Sequence, residues 1–392
     1  MRIAISGASG FIGQHLVTHL AAQGHDLILL GRDNAKLIAL FPDYDARGYY
    51  DLEQTFRGVD VILHLAAALP TADLTEEEFA GANVALTRNM VLAAQDAGVP
   101  MLVNFATLGF KDNAYSRTKQ TAERILADAE GLLVTTLRLP AVYSSAPDVP
   151  FRGGLALLNP VPKWCRAVVF DLLASLRPTV SISKVMSAVD EALQADTSFE
   201  RIVSDRQINN KPYHFAKRLI DLMGVSCVVL LAGWLMVLIA IAVRTFDGSP
   251  VIFRQTRVGQ HQKPFTLYKF RTMRTGTAQA GTHEIGADAI TSIGKFLRKT
   301  KLDELPQILN VLKGELSFIG PRPGLPMQTE LNAERARRSV FSALPGMTGL
   351  AQTEGLDMSR PAELAKRDAD YLALRSIILD FKILLRTVIK KR

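Results

Sequence analysis

Arg2-Ile3-Ala4-Ile5-Ser6 reads as a short buried strand, and Gly7-Ala8-Ser9-Gly10-Phe11-Ile12-Gly13 follows it directly, ahead of a helical pattern that runs to about Ala22. This stretch decides the fold of the first half. A strand, a glycine turn and a helix in that order open a parallel sheet with helices on both faces. The glycines allow a tight turn and a close backbone approach, and the helix N-terminus offers free N–H groups to a pyrophosphate. Gly7, Gly10, Phe11, Ile12 and Gly13 are therefore expected to cradle a dinucleotide. The next strand, Asp26–Leu30, ends in Gly31-Arg32 rather than in an acid that would bond a ribose hydroxyl. Arg32, with Lys36 one turn on, suits a 2′-phosphate, so NADP(H) is expected ahead of NAD(H). The bland alternative is that Arg32 is a solvated loop residue.

Working outward, 392 residues are too many for one ordinary domain, and two are expected. A formal charge of +8 and a pI of about 9.4 point to an anionic partner, without choosing among nucleic acid, phospholipid and nucleotide. A mean hydropathy of +0.13 is high for a soluble enzyme and suggests a membrane-embedded piece. Cys165 and Cys227 are far apart among apolar neighbours, which argues against a disulfide framework or thiolate metal site and fits a reducing compartment. Met1-Arg2 runs straight into the strand, unlike a signal peptide.

Further landmarks follow the glycine turn: Asp51-Leu52, Val61-Ile62-Leu63-His64-Leu65-Ala66-Ala67, Asn83-Val84 and Tyr115-Ser116-Arg117-Thr118-Lys119. Over roughly residues 1–205 they resemble the extended and atypical short-chain dehydrogenase/reductase family, with its Rossmann-type, doubly wound α/β sheet. The resemblance implies that Asp51 and Leu52 contact adenine and that Ala66 lines the cofactor cleft. It makes Tyr115 and Lys119 the YxxxK pair, with Thr107 in the place of the family's serine. Four-residue spacing puts Tyr115 and Lys119 on one helical face. Lys119 would lower the phenol's pKa and bind the nicotinamide ribose, and Tyr115 would exchange the substrate proton. The sequence departs from the family in two ways: the interval from Thr107 to Tyr115 is short, and the fold ends near Arg206. Val180 to Val203 reads as a remnant of the substrate lobe.

After a linker at 206–218, residues 219–243 are almost wholly apolar, with Asp221 as the single charge. About 20 residues suffice to cross a hydrocarbon core. Cations flank both ends, so the positive-inside rule assigns no orientation. Nucleotide substrates on both sides call for both flanks to face the cytosol, which a re-entrant helix satisfies. Ala232-Gly233-Trp234-Leu235 holds no proline, and Gly233 breaks a helix by about 1 kcal/mol against about 3 for proline.

Residues 211–392 carry a second ordered set of landmarks. Pro250-Val251-Ile252-Phe253-Arg254-Gln255 and Arg257-Val258-Gly259 come first, then Tyr268-Lys269-Phe270-Arg271-Thr272-Met273. Thr291, Gly294, Arg298 and the Asp303-Glu304 pair follow, then Pro321-Arg322-Pro323, Pro345 to Leu350, Asp368 and Tyr371. This set resembles the bacterial sugar transferases, monotopic phosphoglycosyl transferases with a small, mostly helical domain and a re-entrant membrane helix. The resemblance implies that Asp303 attacks the β-phosphorus of a UDP-sugar and expels UMP. Polyprenyl (undecaprenyl) phosphate then takes the phosphosugar, which starts a bacterial glycan. Mg2+ is expected at Asp303 and Glu304, with Arg298, Arg322, Lys269 and Arg271 contacting substrate.

The tail from Ser376 to Arg392 places Ile377, Ile378, Phe381, Leu384, Leu385 and Val388 at helical spacing. Lys382, Arg386 and Lys390 to Arg392 form its polar side, as on a helix lying on an anionic bilayer. The expectation is a cytoplasm-facing enzyme of the bacterial inner membrane whose partners are UDP-sugar, polyprenyl phosphate and membrane lipid. Nucleic acid is not expected, and a homo-oligomer stays open. The first domain is expected to reduce or epimerise the sugar nucleotide, or else to act as a non-catalytic NADP(H)-binding module. A membrane-anchored reductase is the third reading.

Overall fold

The computed structural model describes residues 1–68, 74–108, 114–146, 149–151, 153–277 and 289–389. The chain divides into two compact units, residues 1–167 with 178–205, and residues 168–177 with 206–392.

The first unit is built on a seven-stranded parallel sheet. Its strands are β1 (Arg2–Ser6), β2 (Asp26–Leu30), β3 (Asp45–Arg47), β4 (Val61–His64), β5 (Met101–Thr107), β6 (Leu133–Leu139) and, after a separate parallel pair of β7 (Ala141–Tyr143) and β8 (Thr179–Ser181), β9 (Phe199–Ile202). The order β3-β2-β1-β4-β5-β6-β9 reverses direction at β1, the place where open α/β sheets form their ligand crevice. Alternation along β1 sends Ile3 and Ile5 to one hydrophobic layer and Ala4 to the other. Both faces are covered by helices, which is why these strands are continuous apolar runs.

Val180 to Val203 is not a remnant of a substrate lobe. Ile182, Val185, Met186, Val189 and Leu193 recur at helical spacing, form the helix Ile182–Leu193, and are buried in the layer that holds Ile3 and Ile5. β9 then pairs with β6 and completes the sheet.

The second unit begins with the helix Lys211–Ala242. The stretch read as a linker is thus helical from Lys211 onward. Asn210 caps it, its side chain accepting from the Tyr213 N–H at 2.9 Å, and Pro212 sits in the first turn where no N–H is needed. The helix is unbroken through Gly233, so the bend expected at 232–235 is absent. Without proline, every backbone bond across that stretch can form. One face packs on the rest of the unit from end to end, through Val225 near its start and Ile239 and Val243 near its finish. Asp221, the lone charge, is buried on that face and accepts from Ser317 Oγ and the Phe318 N–H, both at 3.0 Å. The opposite face exposes Leu230 (80%) and Trp234 (65%).

An antiparallel hairpin follows, β10 (Ile252–Val258) with β11 (Pro264–Phe270). Next come the helix Ser292–Thr300, a tight turn over Leu302–Gln307 and the helix Ile308–Lys313. The short strands β12 (Ser317–Ile319) and β13 (Gly346–Thr348) pair in parallel. Gly346 is needed there, because a Cβ would fall 2.1 Å from the Gly320 nitrogen. The last helix, Ile377–Ile389, buries Asp380 and Ile383 and exposes Phe381, Leu385 and Val388, so it is partly a core helix. Lys390 to Arg392 lie outside the described residues.

Candidate functional site

In the first unit, Gly7 takes a positive φ of 74° and its N–H donates to the Leu30 carbonyl at 2.9 Å. A Cβ on Gly13 would meet the Gly7 oxygen at 2.4 Å. The helix Phe11–Ala22 has no side-chain cap at Gly10, so its first N–H groups are open to a phosphate, as a dinucleotide requires. Arg32 is exposed and in no ion pair among the described residues. Asp51 adopts φ 50° and caps the helix Leu52–Phe56, while Leu52 is buried. Tyr49, which sequence reasoning missed, lies over this turn, its hydroxyl accepting from the Gly7 N–H at 3.2 Å. Nothing local marks it; the pairing joins residues 42 apart.

Across the crevice, Ala66 donates its N–H to Ser6 Oγ at 3.2 Å. Ser6 Oγ also bonds His64 Nδ1 at 2.9 Å, and His64 Nε2 bonds Thr87 Oγ1 at 3.0 Å. Burial, aided by the Lys119 charge, pushes His64 down to about 3, so it is a neutral strut. Asn83 accepts from the Ala68 N–H at 2.9 Å and donates to Thr118 Oγ1 at 3.2 Å, joining the cleft wall to the helix Ala114–Ala127. That helix buries both Tyr115 and Lys119. Burial raises the Tyr115 phenol, and a hydrogen bond with the Thr107 side chain pulls it back. Burial lowers Lys119, against the raising field of Glu123. Thr107 rather than Lys119 is the group that counters the rise at Tyr115. Residues 109–113 of the intervening loop lie outside the described residues.

In the second unit a cavity of about 970 Å³ is lined by Arg257, Lys269, Arg271, Arg298, Asp303, Glu304 and Arg322. That volume suits a nucleotide-sized ligand. Phe253 faces Lys269 across the hairpin, and Gln255 and Arg257 share that side, because alternate strand residues point the same way. Arg298 sits in the last turn of Ser292–Thr300, where cations favour the helix dipole, and donates from Nε to Thr272 Oγ1 at 2.9 Å. Lys301 turns the chain with φ 58°, and the tight turn then presents Asp303 and Glu304.

The two carboxylates differ sharply. Lys269 Nζ and Arg322 Nη2 donate to Glu304 Oε1 at 2.8 and 3.1 Å. Burial alone would raise Glu304, but Lys269 and Arg322 outweigh it and hold the carboxyl at about 2. Asp303, only 9% exposed, makes no ion pair among the described residues. Burial raises it, and Lys269 opposes the rise. Arg271 Nη2 is committed to the carbonyls of Asp247 and Gly248. Arg257, pushed by burial and then by Arg322 down to about 10, donates to the Pro323 carbonyl at 3.1 Å. The Arg322 carbonyl accepts from Arg335 Nη1 at 2.8 Å, and Arg335 is paired with Asp368 at 2.6 Å.

Sequence reading left out Arg257 as a site residue, and also Thr348, Gln352, Arg386 and Thr387, which line the same cavity. Hairpin alternation was a usable signal for Arg257; the rest arrive by tertiary packing. No cluster of three or more His, Cys, Asp or Glu residues is present among the described residues. The donor set nevertheless fits Mg2+, which binds through one or two carboxylates plus substrate phosphates. Among the described residues, Asp303 is in no ion pair and Glu304 is engaged through Oε1 alone.

A unit with a cofactor crevice and a second unit with a cationic, carboxylate-bearing cavity define a two-domain enzyme. The NAD dependent epimerase/dehydratase family matches residues 3–203, and the bacterial sugar transferase family matches residues 212–391. An uncharacterized sugar transferase, EpsL, of Bacillus subtilis is 41% identical over 178 residues, which is 44% of this chain and 86% of that protein. A UDP-glucose:undecaprenyl-phosphate glucose-1-phosphate transferase of Caulobacter vibrioides is 37% identical, over 44% of this chain and 68% of its own length. The exopolysaccharide production protein PSS of Rhizobium leguminosarum is also 37% identical, over 45% of this chain and 94% of that one. The chain therefore belongs to the bacterial sugar transferases and carries a NAD-binding epimerase/dehydratase domain ahead of the transferase.

Proposed function

We propose that the second unit transfers a sugar 1-phosphate from a UDP-sugar to polyprenyl (undecaprenyl) phosphate through an aspartyl intermediate on Asp303. The observation that carries this reading is a buried Asp303, without an ion pair among the described residues, beside a Glu304 clamped by two cations in one cavity. An Asp303 oxygen attacks the β-phosphorus, the bond to the UMP oxygen breaks, and UMP leaves. An oxygen of polyprenyl phosphate then attacks the phosphosugar and frees Asp303. The diphosphate repels an anionic nucleophile, so neutralisation must come first. Lys269, Arg298, Arg257 and Arg322 line the cavity for that purpose. Mg2+, held by Asp303 and Glu304, would add Lewis-acid stabilisation of the phosphoryl oxygens.

The helix Lys211–Ala242 is the membrane element, being long and apolar enough to span. It packs on its own unit near both ends, so it lies along one leaflet with its Leu230–Trp234 side in lipid, and no bend is required. Substrate supply sets the cytoplasmic face of the inner membrane as its location.

In the first unit, the hydrogen-bonded Thr107 and Tyr115, with Lys119 on the same face, support reduction or epimerisation of a nucleotide sugar. Arg32 favours NADP(H). A non-catalytic cofactor-binding module is the competing reading, supported by the missing substrate lobe. NADPH oxidation with a UDP-4-keto sugar, lost in Tyr115→Phe, would establish the reductase; cofactor binding without turnover would establish the module. For the transferase, protein given Mg2+, undecaprenyl phosphate and a panel of UDP-sugars should release UMP, and Asp303→Asn should not. No release with any UDP-sugar would refute it.

A further inference from the structure

The helix Lys163–Leu176 exposes the residues that a helix ordinarily hides. Trp164, Val168, Leu172 and Leu176 recur at every fourth position and so form one stripe, and they are 87, 59, 51 and 41% exposed. Leu157, shortly before the helix, is 79% exposed as well. The helix's one acid, Asp171, is half-buried at the stripe's edge.

Residues 168–177 belong to the second unit. Gln207 Nε2 donates to the Ala174 carbonyl at 2.5 Å, and Asn210 Nδ2 donates to the Asp171 carbonyl at 2.8 Å. Both donors stand immediately before the apolar helix Lys211–Ala242, and Asn210 is its cap. The part of the stripe from Val168 to Leu176 is therefore moored where the apolar helix begins, and Trp164 precedes it by one turn on the same helix. The apolar helix exposes Phe215, Leu219 and Met223 in its first turns. Lys163 and Arg177, at the two ends of this helix, and Lys211, the first residue of the apolar one, are all exposed.

We propose that the helix Lys163–Leu176 is a second membrane contact, lying in the headgroup region of an anionic bilayer with its Trp164–Leu176 stripe turned to the acyl chains. The proposal rests on reading Lys211–Ala242 as a membrane element. Three observations select lipid over protein. The stripe's helix is hydrogen-bonded to the start of the membrane helix through Gln207 and Asn210, exposed cations stand at its two ends, and Trp164 is the residue type that settles at a membrane–water boundary. The helix precedes the transferase unit's own sequence landmarks, so this contact comes with the fused first half of the chain.

The chain's two tryptophans, Trp164 and Trp234, make the test direct. Full-length Trp234→Phe, which keeps Trp164, and Trp164→Phe, which keeps Trp234, are placed in vesicles of phosphatidylcholine and phosphatidylglycerol with and without brominated acyl chains. An interfacial helix buries its apolar face about 5–10 Å into the headgroup and acyl boundary. Trp164 emission is then expected to shift to the blue and to be quenched in the brominated vesicles. Bromine quenching of Trp234 but not of Trp164 overturns the proposal and leaves the membrane helix intact. Quenching of neither overturns the membrane reading itself. Protection of Trp164 from iodide that grows with protein concentration and ignores bromination indicates a second copy on the stripe, and also overturns it.

Discussion

Lys269 Nζ stands 2.8 Å from Glu304 Oε1, and this contact separates two neighbouring carboxylates in charge behaviour. Glu304 is held at about 2 and stays ionised, while burial raises Asp303. Environments that push paired carboxyls apart assign them different tasks. The acid limb of kcat/KM for the UDP-sugar should therefore belong to Asp303 and lie above the ordinary aspartate value of about 3.9. Lys269 is the foremost group lowering Asp303, so Lys269→Met should move that limb to higher pH. A pH profile unchanged by Lys269→Met would assign the limb to another group.

The depressed Glu304 also makes a stability prediction. A carboxyl whose folded pKa is lowered stabilises the fold above its unfolded pKa and loses that contribution as pH falls through the folded value. The window here runs from about 4.3 down to the folded value of about 2. Glu304→Ala leaves Lys269 and the half-exposed Arg322 without their carboxylate and should cost about 3 kcal/mol near neutral pH. Chemical denaturation of wild type and variant should converge as the pH approaches the lower end. A pH-independent difference would mean that packing, not charge, carries the effect.

Gly13→Ala addresses the first unit alone. Its Cβ would sit 2.4 Å from the Gly7 oxygen and 2.7 Å from Ala8 Cα, so the cofactor turn has to move. NADP(H) affinity should drop by about tenfold or more, about 1.4 kcal/mol, as read by fluorescence titration, while UMP release persists. Unchanged cofactor binding would remove the turn from the cofactor site.

The pair Arg335–Asp368 is 2% and 4% exposed and meets the cavity lining at the Arg322 carbonyl. It is a positioning pair. Asp368→Asn leaves a buried guanidinium without its counterion and should cost about 3–5 kcal/mol of stability. Arg335→Lys keeps the charge but loses the fork that reaches both Asp368 and Arg322. In the folded Arg335→Lys protein, KM for the UDP-sugar should rise more than kcat falls. An equal loss in both would indicate a general structural role.

Much of this was legible in the sequence because it is local. The strand–glycine–helix opening, the Tyr115–Lys119 spacing and the Asp303-Glu304 turn are each set within a few residues. The errors were long-range. Val180 to Val203 looked like an appendage because nothing in it reveals that β9 pairs with β6. The helix Lys211–Ala242 was expected to bend, yet its uninterrupted packing on residues such as Leu267, Ile308 and Leu297 depends on segments far along the chain. Tyr49 at Gly7 and Arg386 at the cavity wall were invisible for the same reason.

The central claim is that Asp303 carries the phosphosugar, and intact-protein mass spectrometry reads it most directly. Enzyme incubated with Mg2+ and its UDP-sugar, without polyprenyl phosphate, should gain the mass of one sugar phosphate, mapped by peptide analysis to Asp303 and absent in Asp303→Asn. Addition of undecaprenyl phosphate should discharge it. A turning-over enzyme that never acquires the adduct, or an Asp303→Asn protein that still acquires it, would contradict the account.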